Sequence, residues 1–296
     1  MTPTAERIAQ SRAVLHDITA AAGLSSVDAT PIRLAENDIW LLPHIAVVRI
    51  ARKGQEMAAV REVAVARWLK QQNVAAVRSL PVQQPVYAAG RAATFWEELP
   101  PHRPGTEAEL APLLRDLHQL PIPDLELGTL DPFVRISERL EASATPSADD
   151  RAYLLDRLDD LRARWDQLPA GLPRCVIHGD AWGGNCAVTR EGAVLLDFER
   201  TSLGPPEWDL TSTAIAVDTF GSLSQAAYAD FATAYGHDVR AWEGYPVLRE
   251  IRELRLTTFA LQIADQDQSA AIQARHRIEC LRGRYGARPW NWQPVG

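Results

Sequence analysis

The sequence predicts an α+β protein of two lobes, a small antiparallel-sheet N-terminal lobe with a leading helix over residues 1–97 and a larger, mainly helical lobe over 98–296. Three observations predict it. At 296 residues the chain exceeds a minimal domain and suits one large or two modest ones. Short β-type runs fill the stretch from Pro31 to Trp96, whereas beyond Gly105 apolar residues recur at helical spacing. Between these stretches, Glu97 to Gly105 is the proline-dense connector of this half.

The elements follow in order. Ile8, Val14, Leu15 and Ile18 stand at near-helical spacing over residues 4–22, and Gly23 marks the stop. Ile32–Leu34, Ile39–Leu42 and Ile45–Ile50 read as a three-stranded antiparallel start, separated by Glu36-Asn37-Asp38 and Pro43-His44. Residues 55–72 predict a helix with Met57, Val60, Ala64 and Trp68 on its buried stripe and Glu62 off it. Val82–Tyr87 and Ala92–Trp96 read as strands. Helices are then predicted around Leu110–Leu117 and over Asp149–Trp165, the second on a stripe of Leu154, Leu155, Leu158 and Leu161. Gly204-Pro205-Pro206 breaks the chain before a helix opening at Glu207, where prolines lack a donor that the first turn leaves unpaired anyway. Three further helices are expected near 222–236, 246–263 and 268–283.

Composition excludes several classes. A net charge of −7 does not supply the basic face that neutralises nucleic-acid phosphates, so no nucleic-acid partner is expected. With 46% hydrophobic and 23% charged residues the chain has a globular balance, and no apolar run reaches a membrane span. The opening Met-Thr-Pro-Thr-Ala-Glu-Arg lacks the apolar core of an export signal, and a cytoplasmic setting is expected. Cys175, Cys186 and Cys280 cannot all pair and read as free thiols. Cys175, His178 and Cys186 fit no common zinc spacing.

Residues 174–199 concentrate the chemistry. The strand-like run Cys175-Val176-Ile177 ends on His178-Gly179-Asp180, Asn185 follows five positions after Asp180, and a second run, Ala193–Leu196, ends on Asp197. Two carboxylates and an amide at the ends of two adjacent short strands suit magnesium-assisted phosphoryl transfer, with Asp180 taking a proton from a hydroxyl nucleophile and Asn185 and Asp197 holding Mg2+. His-x-Asp-x4-Asn is the spacing of the kinase catalytic loop, with Gly179 in the place of its arginine. No Walker-type loop or G-x-G-x-x-G is present, so P-loop and dinucleotide-binding readings fail.

His-Gly-Asp-x4-Asn, Asp-Phe-Glu at 197–199 and Gly-Pro-Pro-Glu-Trp-Asp-Leu at 204–210 together resemble the aminoglycoside phosphotransferase and choline kinase family of small-molecule kinases. The resemblance is strongest over 174–212. It implies a two-lobed protein-kinase-like fold, ATP or GTP as donor, Mg2+ as cofactor and a small hydroxylated molecule as acceptor. In the kinase pattern a third-strand cation contacts the phosphates; Arg49 stands there, and the resemblance makes Glu62 its partner, the alternative being a solvated helix glutamate. Glu36-Asn37-Asp38 occupies the phosphate-covering loop or is a plain hairpin turn. Glu97, Glu98 and Leu99 would lie beside the adenine, and His178 and Asp209 would support the catalytic loop, Asp209 alternatively being only a first-turn acid favoured by the helix dipole.

The same resemblance builds the acceptor pocket mainly from the C-terminal helices. From Ser222 to Gly296 there are nine arginines and eight acids, no surplus for a polycationic aminoglycoside. Trp242, Tyr245, Phe259, Trp290 and Trp292 suit a ring-shaped ligand or form ordinary core, and Asp265 and Asp267 form a cation-binding pair or cap a helix. The expected acceptor is a neutral or weakly charged metabolite or antibiotic such as a sugar, nucleoside or macrolide. The competing readings are a non-catalytic kinase-shaped ligand-binding protein and a metallophosphoesterase.

Overall fold

In the computed structural model, residues 4–295 are described; residues 1–3 and 296, the outermost positions of the two predicted lobes and of the N-terminal segment read as unlike an export signal, lie outside them. The elements run α1 (Ala5–Ala21), β1 (Thr30–Leu34), β2 (Asp38–Leu42), β3 (Ala46–Ile50), α2 (Glu56–Gln71), β4 (Val86–Ala88), β5 (Arg91–Trp96), β6 (Arg103–Pro104) and α3 (Glu107–His118). There follow α4 (Ile136–Ala142), α5 (Ala148–Trp165), β7 (Cys175–Ile177), β8 (Cys186–Thr189), β9 (Gly192–Leu195), β10 (Ser202–Gly204), α6 (Glu207–Asp218), α7 (Gln225–Tyr235), α8 (Tyr245–Ala264) and α9 (Gln268–Leu281). Two compact units result, one of residues up to Gly128 with Gly183–Ser202, the other of Thr129–Trp182 with Leu203 onward.

The first unit is built on a five-stranded antiparallel sheet in the order β1-β2-β3-β5-β4. β2 and β3 alternate buried and half-buried positions, the period-two pattern of a sheet with one covered face. Trp40, Leu42, Ala46, Val48 and Ile50 point inward and pack with Leu15 and Ile18 of α1. Thr4 caps α1 by accepting from the Arg7 amide.

Two sequence expectations change here. The predicted strand Val82–Tyr87 shrinks to Val86–Ala88, because the Gln84 side chain takes the place of a ladder neighbour: its amide oxygen accepts from Phe95 N at 2.7 Å and its nitrogen donates to the Leu80 carbonyl at 2.8 Å. In α2 the buried residues are Ala59, Glu62, Val63, Val65, Ala66, Trp68 and Leu69; of the predicted stripe Trp68 is buried, but Met57 is 67% exposed and Val60 exposed, so the stripe that placed Glu62 outside is corrected. The i, i+3, i+4 spacing fits either face, and a charged residue at an inward position misdirects the reading.

Asp38, read from sequence as part of a turn, is fully buried at the start of β2. Its carboxylate pairs with Arg7, accepts from Arg91 at 2.7 Å and from the Ser11 hydroxyl at 2.9 Å, and Ser11 in turn accepts from Trp40 Nε1 at 2.9 Å. This ties α1, β2 and β5 together and leaves only Ala35 to Asn37 as the hairpin bend.

The second unit is helical, its core centred on α5, α8 and α9 with Trp208, Trp290 and Trp292. Arg277 is buried beneath the Trp292 ring and donates to the Leu256 and Gln293 carbonyls at 2.7 and 2.6 Å, fastening the C-terminal segment to α8. The short strand β7 pairs with β10, and β9 pairs with β8. The two strands that the sequence reading made neighbours, Cys175–Ile177 and Ala193–Leu196, are therefore not paired with each other; each has a different partner, which no local pattern encodes.

Asp38→Ala is expected to lower stability by about 3 kcal/mol, since it removes the one carboxylate shared by the half-buried Arg7 and Arg91 and strands the buried Ser11 hydroxyl. Removing the exposed Glu36 partner of Arg52 should cost about 0.5 kcal/mol or less. Chemical unfolding of the two variants side by side checks the contrast.

Candidate active site

The second unit carries the His178-Gly179-Asp180 segment. β7 is buried along its whole length, so the chain leaves the core at His178, itself without exposed surface. Asp209, in the first turn of α6 and fully buried, accepts from the backbone N–H of His178 at 2.6 Å and of Gly179 at 2.8 Å. Gly179 has φ 83°, a left-handed conformation that a side chain would strain. Trp208 Nε1 donates to the Gly179 carbonyl at 3.3 Å, and the Arg252 guanidinium lies 4.1 Å over the Trp208 ring. Asp180 N donates to His178 Nδ1 at 3.4 Å, and the Asp180 side chain is half-buried. The acid one turn into α6 is thus an acceptor for the loop backbone, and the helix dipole adds to its stability there.

The first unit holds the other candidates. Arg49 on β3 and Glu62 on α2 form an ion pair, and Thr94 Oγ1 donates to Glu62 at 2.6 Å. The same guanidinium reaches Asp197 at 3.1 Å and pairs with Glu199. Glu199 is a residue the sequence reading passed over; its signal was its place in Asp-Phe-Glu, two positions from Asp197. Arg61 Nη1 also donates to the Glu199 carbonyl at 3.1 Å. Burial pushes the Glu62 carboxyl up to about 7, with the attraction of Arg49 and the Thr94 hydrogen bond opposing, while the surrounding carboxylates leave Arg49 more firmly protonated despite its own burial.

Leu196 N donates to the Asn185 carbonyl at 2.9 Å, which brings Asn185 and Asp197 to adjoining positions at the ends of β8 and β9. Asn185 closes a 3₁₀ turn begun at Gly183, where a Cβ would stand 2.8 Å from the Gly105 carbonyl oxygen. Asp197 has φ 60°. One amide and one carboxylate oxygen are hard donors of the kind Mg2+ takes alongside phosphate oxygens and water, so the pair fits that ion. Glu97 and Glu98 are exposed and Leu99 half-buried; Glu97 N donates to the Arg78 carbonyl at 2.8 Å, which fixes the start of the connector.

Burial raises the Cys175 thiol to about 12 and the Cys186 thiol to about 11, and both are buried free thiols. Among the described residues no three His, Cys, Asp or Glu side chains form a metal-holding group, and no helix is long and apolar enough to cross a membrane. Of the aromatic set offered as ligand-stacking or core, Tyr245, Trp290 and Trp292 are core, Trp290 stacked on Trp292 with ring centroids 5.5 Å apart. Trp242 donates to the Ala170 carbonyl at 3.0 Å. Asp267 caps α9, accepting from the Ser269 and Ala270 amides, and Asp265 accepts from the Thr145 hydroxyl at 3.4 Å.

A five-stranded antiparallel sheet carrying a cation–glutamate pair, together with a helical unit carrying a braced His-Gly-Asp segment, defines a kinase-like phosphotransferase fold. The chain belongs to the phosphotransferase enzyme family known as APH, whose model matches residues 28–251. No curated protein matches it in a sequence comparison. Among solved structures it is similar to choline kinase LicA from Streptococcus pneumoniae, with 16% identity, 93% of this chain and 99% of that one covered, and a TM-score of 0.67. An amicoumacin kinase, hAmiN, solved with AMP-PNP, Ca2+ and Ami, matches with 15% identity over 95% of this chain and 94% of its own, at a TM-score of 0.69. An aminoglycoside phosphotransferase from Streptomyces rimosus matches with 19% identity over 82% of this chain and 98% of its own, at a TM-score of 0.56. At these identities the likeness establishes the fold.

Asp209→Ala removes the acceptor of two buried amides and is expected to destabilise the second unit by about 3 kcal/mol, whereas Asp209→Asn, which keeps one acceptor oxygen, should lose about half of that. Unfolding midpoints that coincide for the two variants would refute the bracing role.

Proposed function

We propose that the protein transfers the γ-phosphoryl group of ATP or GTP to a hydroxyl of a small molecule. The observation that carries the reading is the pair of Asp209 hydrogen bonds to His178 and Gly179, which hold the segment bearing Asp180 in a fixed conformation. In phosphoryl transfer the protein contributes mostly positioning and charge neutralisation, and such a braced carboxylate meets that demand.

In this reading Asp180 accepts the proton of the attacking hydroxyl, and His178 and Asp209 support the loop. Asn185 and Asp197 would hold Mg2+, which supplies positive charge against the donor phosphates when bound. Arg49, kept in place by Glu62, turns its guanidinium to the phosphates, and the backbone of Glu97, Glu98 and Leu99 meets the adenine edge. Residues 1–97 then act as the nucleotide-binding lobe and 98–296 as the catalytic and acceptor lobe.

The acceptor we favour is neutral or weakly charged, because the C-terminal helices carry no acidic surplus for a polycation and Asp267 is committed to a helix cap. An antibiotic-modifying role and a metabolic one both accommodate such an acceptor. The setting proposed is the cytoplasm, without nucleic-acid or membrane partners. A kinase-shaped binding protein would have no need of the Asp180, Asn185 and Asp197 combination, and nucleotide consumption in magnesium with a library of hydroxylated compounds separates it, and a metallophosphoesterase, from this reading.

Asp180→Ala is expected to lower turnover by about a hundredfold to ten-thousandfold with nucleotide affinity nearly unchanged. Half of wild-type turnover in that variant would remove Asp180 from the role of base. Asp197→Ala and Asn185→Ala should both weaken magnesium-dependent nucleotide binding, the first more severely because a carboxylate also neutralises the ion. Titrations with and without magnesium check this; affinity equal to wild type in Asp197→Ala contradicts it.

A further inference from the structure

Of the nine tryptophans, Trp182 is the exposed one, with 57% of its surface open. It stands two residues after Asp180, in the same unit. Its chain neighbour Ala181 has no exposed surface. Upstream, Gly179 is fixed by Asp209 and Trp208. Among the described residues Trp182 has no hydrogen-bond or ring partner. A large aromatic surface left open two residues from a carboxylate, on a segment hydrogen-bonded upstream at Gly179, is a preformed platform: little conformational entropy is lost when a flat ligand covers it.

Resting on the phosphotransfer reading above, we infer that Trp182 is a specificity-determining residue that stacks on the acceptor, and that the acceptor presents its hydroxyl from the edge of a ring. A saturated sugar ring offers an apolar C–H face and a nucleobase a π face, and either covers indole with a hydroxyl directed toward the adjoining Asp180. An open-chain polyol has no face to offer and gains nothing from the platform. Of the C-terminal aromatics, Tyr245, Trp290 and Trp292 are buried, whereas Trp242 and Phe259 are half-buried.

Incorporating 5-fluorotryptophan and comparing with Trp182→Phe assigns the Trp182 19F resonance. Adenosine, methyl glucoside and a macrolide serve as ring probes and glycerol as the open-chain control. At least one ring probe is expected to shift the Trp182 resonance saturably at millimolar concentration, with glycerol leaving it in place. The same probe should be phosphorylated, and Trp182→Ala should raise its KM about tenfold or more while Trp182→Tyr restores most of the loss. Nucleotide Kd, which a folding defect would move, should stay within about twofold of wild type. The inference is overturned if no ring probe moves the resonance, or if Trp182→Ala leaves the KM of a phosphorylated ring probe unchanged. Asp180→Ala run alongside separates the two readings: Asp180-dependent nucleotide consumption with an unmoved Trp182 resonance retains the phosphotransfer reading and discards the platform. A moved resonance without Asp180-dependent consumption does the reverse.

Discussion

The carboxylate of Asp209 is the constraint on which the helical unit's chemistry depends. It is fully buried, and a buried carboxylate is tolerated only when its lone pairs are satisfied. Here the N–H groups of His178 and Gly179 satisfy it, so the cost of burying the charge and the cost of burying two loop amides cancel against each other. The bond to Gly179 also holds the glycine at φ 83°, a conformation the chain would otherwise populate as one among several. Behind it, Arg252 on α8 covers Trp208, and Trp208 holds the Gly179 carbonyl, so the long helix of the core reaches the His178-Gly179-Asp180 segment through two side chains. The segment bearing Asp180 inherits the rigidity of α6 and α8 rather than having rigidity of its own.

The first unit solves a charge problem of the opposite kind. One guanidinium, Arg49, faces Glu62, Asp197 and Glu199. The raised proton affinity of Glu62 follows from its burial first, with a smaller push from Asp197 and Glu199, against the opposing pull of Arg49. In the proposed reading the phosphates of a nucleotide placed here would add further negative charge, so binding would call for a counter-charge from outside the protein. A divalent cation held by Asn185 and Asp197 would, in the same reading, supply that charge, and drawing Asp197 toward it would loosen one of the three contacts on Arg49. Arginine in place of the kinase lysine suits this arrangement, since its planar fork engages several carboxylates at once where an ammonium is a single point of charge.

Much of this was legible in the sequence, and what was not has identifiable causes. The strands β1 to β3, α3, α5 and the helices after Pro206 follow from apolar periodicity, and His-Gly-Asp-x4-Asn with Asp-Phe-Glu pointed to the family. The face of α2 was misread because Glu62 is buried through its Arg49 and Thr94 partners, which lie on other elements. Asp38 looked like turn chemistry for the same reason: its partners, Arg7 and Arg91, are 31 and 53 residues away. The shortened β4 reflects a side-chain amide standing in for a strand. In each case a tertiary polar contact overrode a local pattern, and a single sequence does not report such contacts.

The aromatic residues carry the same lesson toward function. Composition alone makes every tryptophan of the C-terminal region an equal candidate for ligand stacking, because indole serves a core and a binding surface equally well. Burial separates them. Trp290 and Trp292 stack on each other inside the core, and Trp208 works as a strut between α8 and the Gly179 carbonyl. Trp165 and Trp242 are half-buried, and the exposed indole is Trp182, within the His-Gly-Asp-x4-Asn motif at a position its spacing leaves unspecified. In the proposed reading this exposed indole, two residues from Asp180, adds a shape criterion to the charge criterion that the C-terminal helices set for the acceptor.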